Sequence, residues 1–314
     1  MKILFIIFML LSLIIARDIK PTFIIESKGF VNDFVIDGTS MYVANDEGSV
    51  EVFDLETQKL IDEIFIDPIY TKKLVWQNAK ILSVDRFDNK TLIVSNSTNA
   101  FRNIWVHDGT KLKHIIKQKD EVAIKEARFL TKDTFMFGTL GYEMIVHNED
   151  DSYNTYKVQV EQSSFSDLAL SEDKTTMVTA CESGQITISD TKTGQPIKKL
   201  KPINLDKVFQ VAYKNNVIIT AGQDRKVAVY VANKEPYFIQ SDFLVYTVGL
   251  SPDGRTGIYS SDEDSNLQIF DTQSGNKSHK LIGHYAIPTT IKFYDNKSLF
   301  SAGYENKIFY WRID

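Results

Sequence analysis

VEVFDL (50–55), NIWVHDG (103–109), MIVHNED (144–150), ITISDTKTG (186–194), VAVYVAN (227–233), LQIFDTQSG (267–275) and IFYWRID (308–314) are seven renderings of one phrase. Each is an apolar run closing on an Asp-like turn, and two further apolar runs precede it. With Asp54, Asp108, Asn148, Asp190, Val231, Asp271 and Arg312 as equivalent positions, the intervals are 54, 40, 42, 41, 40 and 41 residues. A period near forty with several strands per unit marks a propeller blade. The expected fold is therefore all-β, a single seven-bladed β-propeller.

Outward from these runs, each unit carries its own punctuation. Asp37-Gly38, Asp88-Asn89, Lys132-Asp133, Glu172-Asp173, Asn215-Asn216, Asp253-Gly254 and Asp295-Asn296 separate the first two runs. These residue types tolerate the positive φ of tight hairpins. The flanking stretches SMYVAN, TMVTAC, NVIITAG and SLFSAG alternate or are continuously apolar, which fits strands buried in stacked sheets. The last unit stops after its third run, while TFIIESKG (22–29) precedes the first unit without a partner. Placing 22–29 as the outer strand of the last blade completes the ring and pairs backbone groups that would otherwise be stranded.

Composition bounds the function classes. Hydrophobic content of 43% with 25% charged residues is that of a soluble globular protein. A net charge of -5, spread along the chain, argues against nucleic acid as a partner, which calls for a basic stripe. KLKHIIKQK (111–119) reads instead as an outer strand guarded by charge. Lys2, the apolar run ILFIIFMLLSLII (3–15), Ala16 and the charged Arg17-Asp18 describe a secretory signal. Thirteen residues reach only ~20 Å as helix, short of a ~30 Å hydrocarbon core. The expected organisation is a signal peptide over 1–16 and the propeller over 17–314. Cys181, the single cysteine, is expected to be a small core residue.

LIGHYAIPTTIKFYDNKSLFSAGYENKIFYWRID (281–314) resembles a WD40 repeat. In that family a His, a Ser or Thr, an Asp and a Trp form a hydrogen-bonded chain that braces the blade. The resemblance gives these roles to His284, Ser301 and Trp311, with Glu305 in place of the usual Asp. Elsewhere Asp224 and Asp264 match the acidic turn position. Phe53, His107, His147, Ser189, Tyr230 and Phe270 fill the Trp position. With its export signal and length, the chain is also similar to the NapL family, periplasmic accessory propellers of nitrate reductase gene clusters in epsilonproteobacteria. That resemblance implies a monomeric, non-catalytic periplasmic protein with protein partners, nitrate reductase components among them, and no cofactor. Its work would be electron delivery or assembly.

The sequence supplies no linear catalytic motif. His107, His114, His147, His279 and His284 lack metal-ligand spacing, although His107 and His147 could approach each other at a channel wall. The acidic clusters at 149–151 and 262–265 lack the glycine and spacing of an EF-hand. The alternative to a platform is an exported propeller enzyme or small-ligand binder of the lactonase or quinoprotein kind, which convergent channel carboxylates would favour. The long first interval arises mainly from DPIYTKKLVWQNA (67–79), with a smaller excess at NSTNAFR (96–102). Both connections are expected on one face, making Tyr70, Lys72, Lys73, Trp76, Phe101 and Arg102 a candidate partner-binding patch. The competing reading makes 67–79 an extra strand with Trp76 packed inward.

Overall fold

The computed structural model describes residues 18–313 apart from positions 72 and 152, so the expected signal peptide and Lys72 lie outside the described residues. Seven antiparallel four-stranded sheets follow one another along the chain. Blade 1 runs from axis to rim as Val31–Asp37, Ser40–Asn45, Ser49–Asp54 and Lys59–Phe65. The first strands of blades 2 to 7 are Ile81–Phe87, Ile124–Phe129, Phe165–Leu170, Val208–Lys214, Val248–Leu250 and Pro288–Asp295. Each first strand touches the next, and that of blade 7 touches that of blade 1, so the sheets form a ring around a channel.

A blade has a neighbour on both faces, and this explains its residue pattern. The second strands of blades 5 and 7, Val217–Gly222 and Ser298–Gly303, are buried along their whole length. They therefore read as continuous apolar or small-residue runs rather than as alternation. The apolar core is divided into seven clusters, one at each blade-to-blade interface. At the seam, Phe34, Met41 and Phe53 of blade 1 pack with Phe300 and Ile308 of blade 7. Cys181 is buried in the cluster between blades 3 and 4. Cohesion thus comes from nearest-neighbour contacts, as in other repeat folds.

The ring closes through the N-terminus. Phe23–Glu26 pairs antiparallel with Lys307–Arg312 as the fourth strand of blade 7, Phe23 opposite Tyr310 and Glu26 opposite Lys307. Phe23 stacks on Tyr310 at 4.5 Å between ring centroids, and the Ser27 N–H donates to the Asn306 carbonyl at 2.9 Å. Without this strand, Lys307–Arg312 would present an open, largely apolar edge.

Six of the seven first strands break register at one equivalent point, with a bulge between residues 31/33, 81/83, 124/126, 165/167, 208/210 and 288/290. A bulge inserts one residue and re-aims its neighbours. Consequently two successive side chains, rather than alternate ones, line the channel: Asn32 with Asp33, Lys125 with Glu126, Ser166 with Asp167 and Phe209 with Gln210. Period-two reading of the sequence would send one member of each pair into a blade interface.

Two sequence expectations change here. The 67–79 connection is neither an irregular loop nor a blade strand: Ile69–Tyr70 and Trp76–Gln77 pair as a small hairpin outside the seven blades. Trp76 is 69% exposed, so it is not packed inward. His107 and His147 lie in third strands, away from the channel lined by first strands.

Candidate functional site: the channel and the loop face

Strands alternate in direction, so the connections between blades and those between second and third strands emerge at one end of the ring. The channel opens there as a cavity of about 290 Å³. A second cavity of about 460 Å³ opens at the other end, and Arg128, Asp167 and Gln210 line both, forming a waist between them.

Polar side chains of the first strands reach sideways to the next blade. Asp33 accepts the Val84 N–H at 3.2 Å and Asp85 the Phe129 N–H at 2.7 Å. Glu126 accepts Leu168 N–H at 2.9 Å, Asp167 accepts Val211 N–H at 2.8 Å, and Gln210 accepts Val248 N–H at 3.0 Å. Lys292 spans the seam between blades 7 and 1, donating to Asp33 at 2.8 Å and to the Phe34 carbonyl. The bonds to Val84, Phe129, Leu168, Val211 and Val248 satisfy backbone donors on the first strands, which are inner sheet edges with no strand partner on the channel side.

Charge at the waist is balanced by pairing and by protonation. Arg128 sits 2.8 Å from Glu126 and 3.6 Å from Asp33, and donates to Ser83 Oγ at 2.6 Å. Burial disfavours its charge, but Glu126, Asp33, Asp85 and Asp167 outweigh that and raise its pKa. Burial also opposes ionisation of Asp33, yet Lys292 and Arg128 prevail and hold it below the usual carboxylate value. Asp167 goes the other way. Burial first, and then the neighbouring Glu126 charge, push it well above the carboxylate range, and the two side chains are hydrogen-bonded. Burial and a like-charged neighbour of this kind favour the protonated form of Asp167, which is the raw material of acid–base chemistry. Among the described residues, no group of three His, Cys, Asp or Glu side chains is placed to hold a metal ion.

In blade 7, His284 Nδ1 lies 2.7 Å from Glu305 Oε1 and its Nε2 lies 2.7 Å from Ser301 Oγ. Trp311 Nε1 donates to the same hydroxyl at 2.7 Å. The His284 side chain is closed to solvent, and Trp311 is 0% exposed. Glu305 reaches the imidazole despite its extra methylene. Blade 5 has a counterpart with different residues. Asn204 donates to Asp224 at 2.9 Å and accepts from Thr220 at 2.6 Å, while Tyr230 donates to the Lys201 carbonyl at 2.9 Å.

Large apolar side chains left in solvent are unevenly placed. Between blades stand Phe30, Leu205, Tyr285 and, on the hairpin, Tyr70, Leu74, Val75 and Trp76; between second and third strands stand Leu140 and Tyr304. All nine belong to the end where the smaller cavity opens; Tyr153 and Tyr294 mark the other end, and Ile24, Leu60, Ile61, Phe65, Ile197 and Phe238 stand on the outer strands. Of the candidate patch, Tyr70 and Trp76 come together with ring centroids 5.2 Å apart, and Lys73 lies in the turn between them. Phe101 and Arg102 are half-buried in blade 2, and Arg102 lines the channel mouth. The inward pairs of the first strands escaped sequence reading. Their one signal was the recurrence of a polar residue near the start of the first run in six of the seven units, at Asp33, Ser83, Glu126, Asp167, Gln210 and Thr290.

No family model and no curated protein matches the chain. Solved structures do match. The β-propeller domain of Cps50 (Swd1) from Myceliophteria thermophila superposes with a TM-score of 0.75, covering 94% of this chain and 99% of that one at 13% identity. A chain of the mitotic checkpoint complex gives a TM-score of 0.75, covering 94% and 92% at 15% identity. At such identities the likeness concerns fold alone. Seven four-stranded blades, a ring sealed by the N-terminal strand and this likeness over nearly the whole chain give the protein the fold of a WD40-like seven-bladed β-propeller.

Proposed function

We propose that the protein is a non-catalytic interaction platform that binds a protein partner through its loop face. The carrying observation is the asymmetry between the two ends of the ring, nine exposed apolar side chains against two, with six more on the outer strands. Apolar side chains gathered in solvent have a solubility cost and mark a binding site, and Tyr70 and Trp76 are in contact there. The hairpin at 67–79 is the sharpest part of that surface, because Leu74 and Trp76 are 74% and 69% exposed and make no contribution to blade packing. Leu74→Ser with Trp76→Ser should leave thermal stability within ~0.5 kcal/mol of the parent, as exposed substitutions do. The same double variant should weaken capture of the partner from the native host. Undiminished capture by a folded variant rules the hairpin out as a contact.

The narrower reading follows the resemblance noted from the sequence: an exported, periplasmic protein supporting nitrate reductase by electron delivery or assembly. The basic n-region and short apolar core at 1–16 support export. Under this reading, deletion of the gene lowers nitrate reduction by whole cells, and the Leu74/Trp76 variant fails to restore it. Normal nitrate reduction in the deletion strain would remove the assignment and leave the platform standing.

The Glu126–Asp167 pair, with the Asp167 carboxyl pushed up by burial, favours the other class, a propeller enzyme or small-ligand binder working in the channel. Both carboxyls, however, already accept a backbone N–H from the next blade, which is a structural task.

A further inference from the structure

At the centre of the loop face, the channel mouth carries two cations that no carboxylate among the described residues answers. Arg102 begins the third strand of blade 2, half-buried, and its guanidinium donates only to the Lys125 carbonyl, at 3.5 Å. Burial is the one influence on its charge and pushes its pKa down. Lys125, aimed inward by the blade 3 bulge, lines the same cavity with an exposed side chain and no ion pair among the described residues. The carboxyls deeper in the channel are already occupied: Asp33 with Lys292 and Arg128, Glu126 with Arg128, and Asp167 with the Val211 N–H. Ser166, buried beside Asp167 and lining the cavity, has a hydroxyl with no hydrogen-bond partner. On the rim Phe209 stacks on Tyr246 at 5.2 Å, and Tyr304 stands in solvent.

A half-buried guanidinium without an anion is a cost to the free protein that an anionic ligand would relieve. We propose that the mouth binds a carboxylate presented by the partner polypeptide, an Asp or Glu side chain or a C-terminus. Arg102 and Lys125 supply the counter-charge, Ser166 Oγ donates a hydrogen bond, and the rim aromatics cover the flanking residues. The cavity, about 290 Å³, is at the small end for ligand pockets and suits one side chain of a longer chain. It opens among the exposed apolar residues, which favours a polypeptide over a free small acid. This site rests on the platform reading, since it names the chemistry by which that face would recognise its partner.

The test is fluorescence anisotropy on the full chain with a labelled Trp-Glu-Tyr-Glu peptide bearing a free C-terminus. A Trp-Gln-Tyr-Gln amide serves as the neutral control and succinate as the competitor. The acidic peptide should bind at least roughly tenfold tighter than the amide, the order of one charge-assisted hydrogen bond. Arg102→Gln should remove most of that preference. Lys125→Gln, on an exposed side chain, should reduce it several-fold and keeps the test alive if the Arg102 variant does not fold. Equal affinity for the two peptides, no binding of either, or unchanged preference in the folded variants would overturn the proposal. Succinate competing as well as the acidic peptide would overturn the polypeptide source in favour of a free dicarboxylate. The Leu74/Trp76 variant separates this site from the platform: if partner capture depends on the hairpin but not on Arg102 and Lys125, the platform survives and the carboxylate site does not.

Discussion

Two buried polar networks hold this ring, and they differ in reach. In blade 7, His284, Ser301, Glu305 and Trp311 join residues of one repeat, at most 27 positions apart in the chain. Around the channel, Asp33, Asp85, Glu126, Asp167 and Gln210 each bridge to the following repeat, 38 to 51 positions on. The first network ties side chain to side chain and fixes the form of one blade. The second ties side chain to backbone N–H and fixes how one blade sits against the next. A repeat protein needs both, because its stability is a sum of unit terms and interface terms.

The largest disturbance should come where the two networks meet. At the seam between blades 7 and 1, Val31 N–H donates to the Glu305 carbonyl at 3.1 Å and Lys292 reaches Asp33. Deleting residues 17–30 removes the closing strand beside this seam and uncovers the edge of Lys307–Arg312. Insoluble protein or a steep loss of melting temperature is expected; an unchanged melt of the truncated chain would mean the ring does not depend on its N-terminal strand. Within the blade, Trp311→Ala should cost ~3–5 kcal/mol by urea denaturation, as loss of a buried large aromatic does. A midpoint shift within error would dissolve the role given to the blade 7 network.

The lateral network should respond less steeply but more informatively. Glu126→Ala leaves the Leu168 N–H without its acceptor and takes the nearest carboxylate from the Arg128 guanidinium, which keeps Ser83 Oγ and Asp33. About 1–3 kcal/mol is expected from a buried donor left unsatisfied. Equal stability would show that solvent in the channel serves these groups as well as Glu126 does.

The smallest effect is one of sign. Because the folded pKa of Asp167 is raised above its unfolded value, this group favours the folded state when protonated. Its contribution is complete below the unfolded pKa of ~3.9 and declines as pH rises toward the folded pKa. Asn imitates the protonated form, accepting from Val211 N–H and donating to Glu126. Asp167→Asn should therefore melt close to the parent near pH 4 and above it, by roughly a few degrees, near pH 7. Asp33 is the control with the opposite sign. Its pKa is lowered, so its contribution is present at neutral pH and fades as pH falls through its folded value. Parallel melting curves for Asp167→Asn and the parent across this range would refute the shared proton.

The same difference in reach explains what could be read from the chain. The blade 7 network lies within one repeat, so His284, Ser301, Glu305 and Trp311 stand at spacings that a linear reading can recognise. Blade 5 builds an analogous network from Asn204, Thr220 and Asp224, and only the acid was legible there. The channel network was not legible, because its acceptors answer backbone amides, which leave no mark on residue type. Arg102 was singled out for the loop face on its residue type, yet its place at the channel mouth depends on blade 3 next door.

The amino-acid sequence by itself determined the number of blades, the hairpin turns and the strand that shuts the ring, since these follow from period, turn chemistry and the need to pair every strand edge. Tertiary structure alone decided which residues face the channel and which cations stand there without an anion among the described residues. The reason is geometric: a bulge of one residue near the start of six first strands turns Lys125, Ser166 and their counterparts toward the axis, where alternation would have put them between blades.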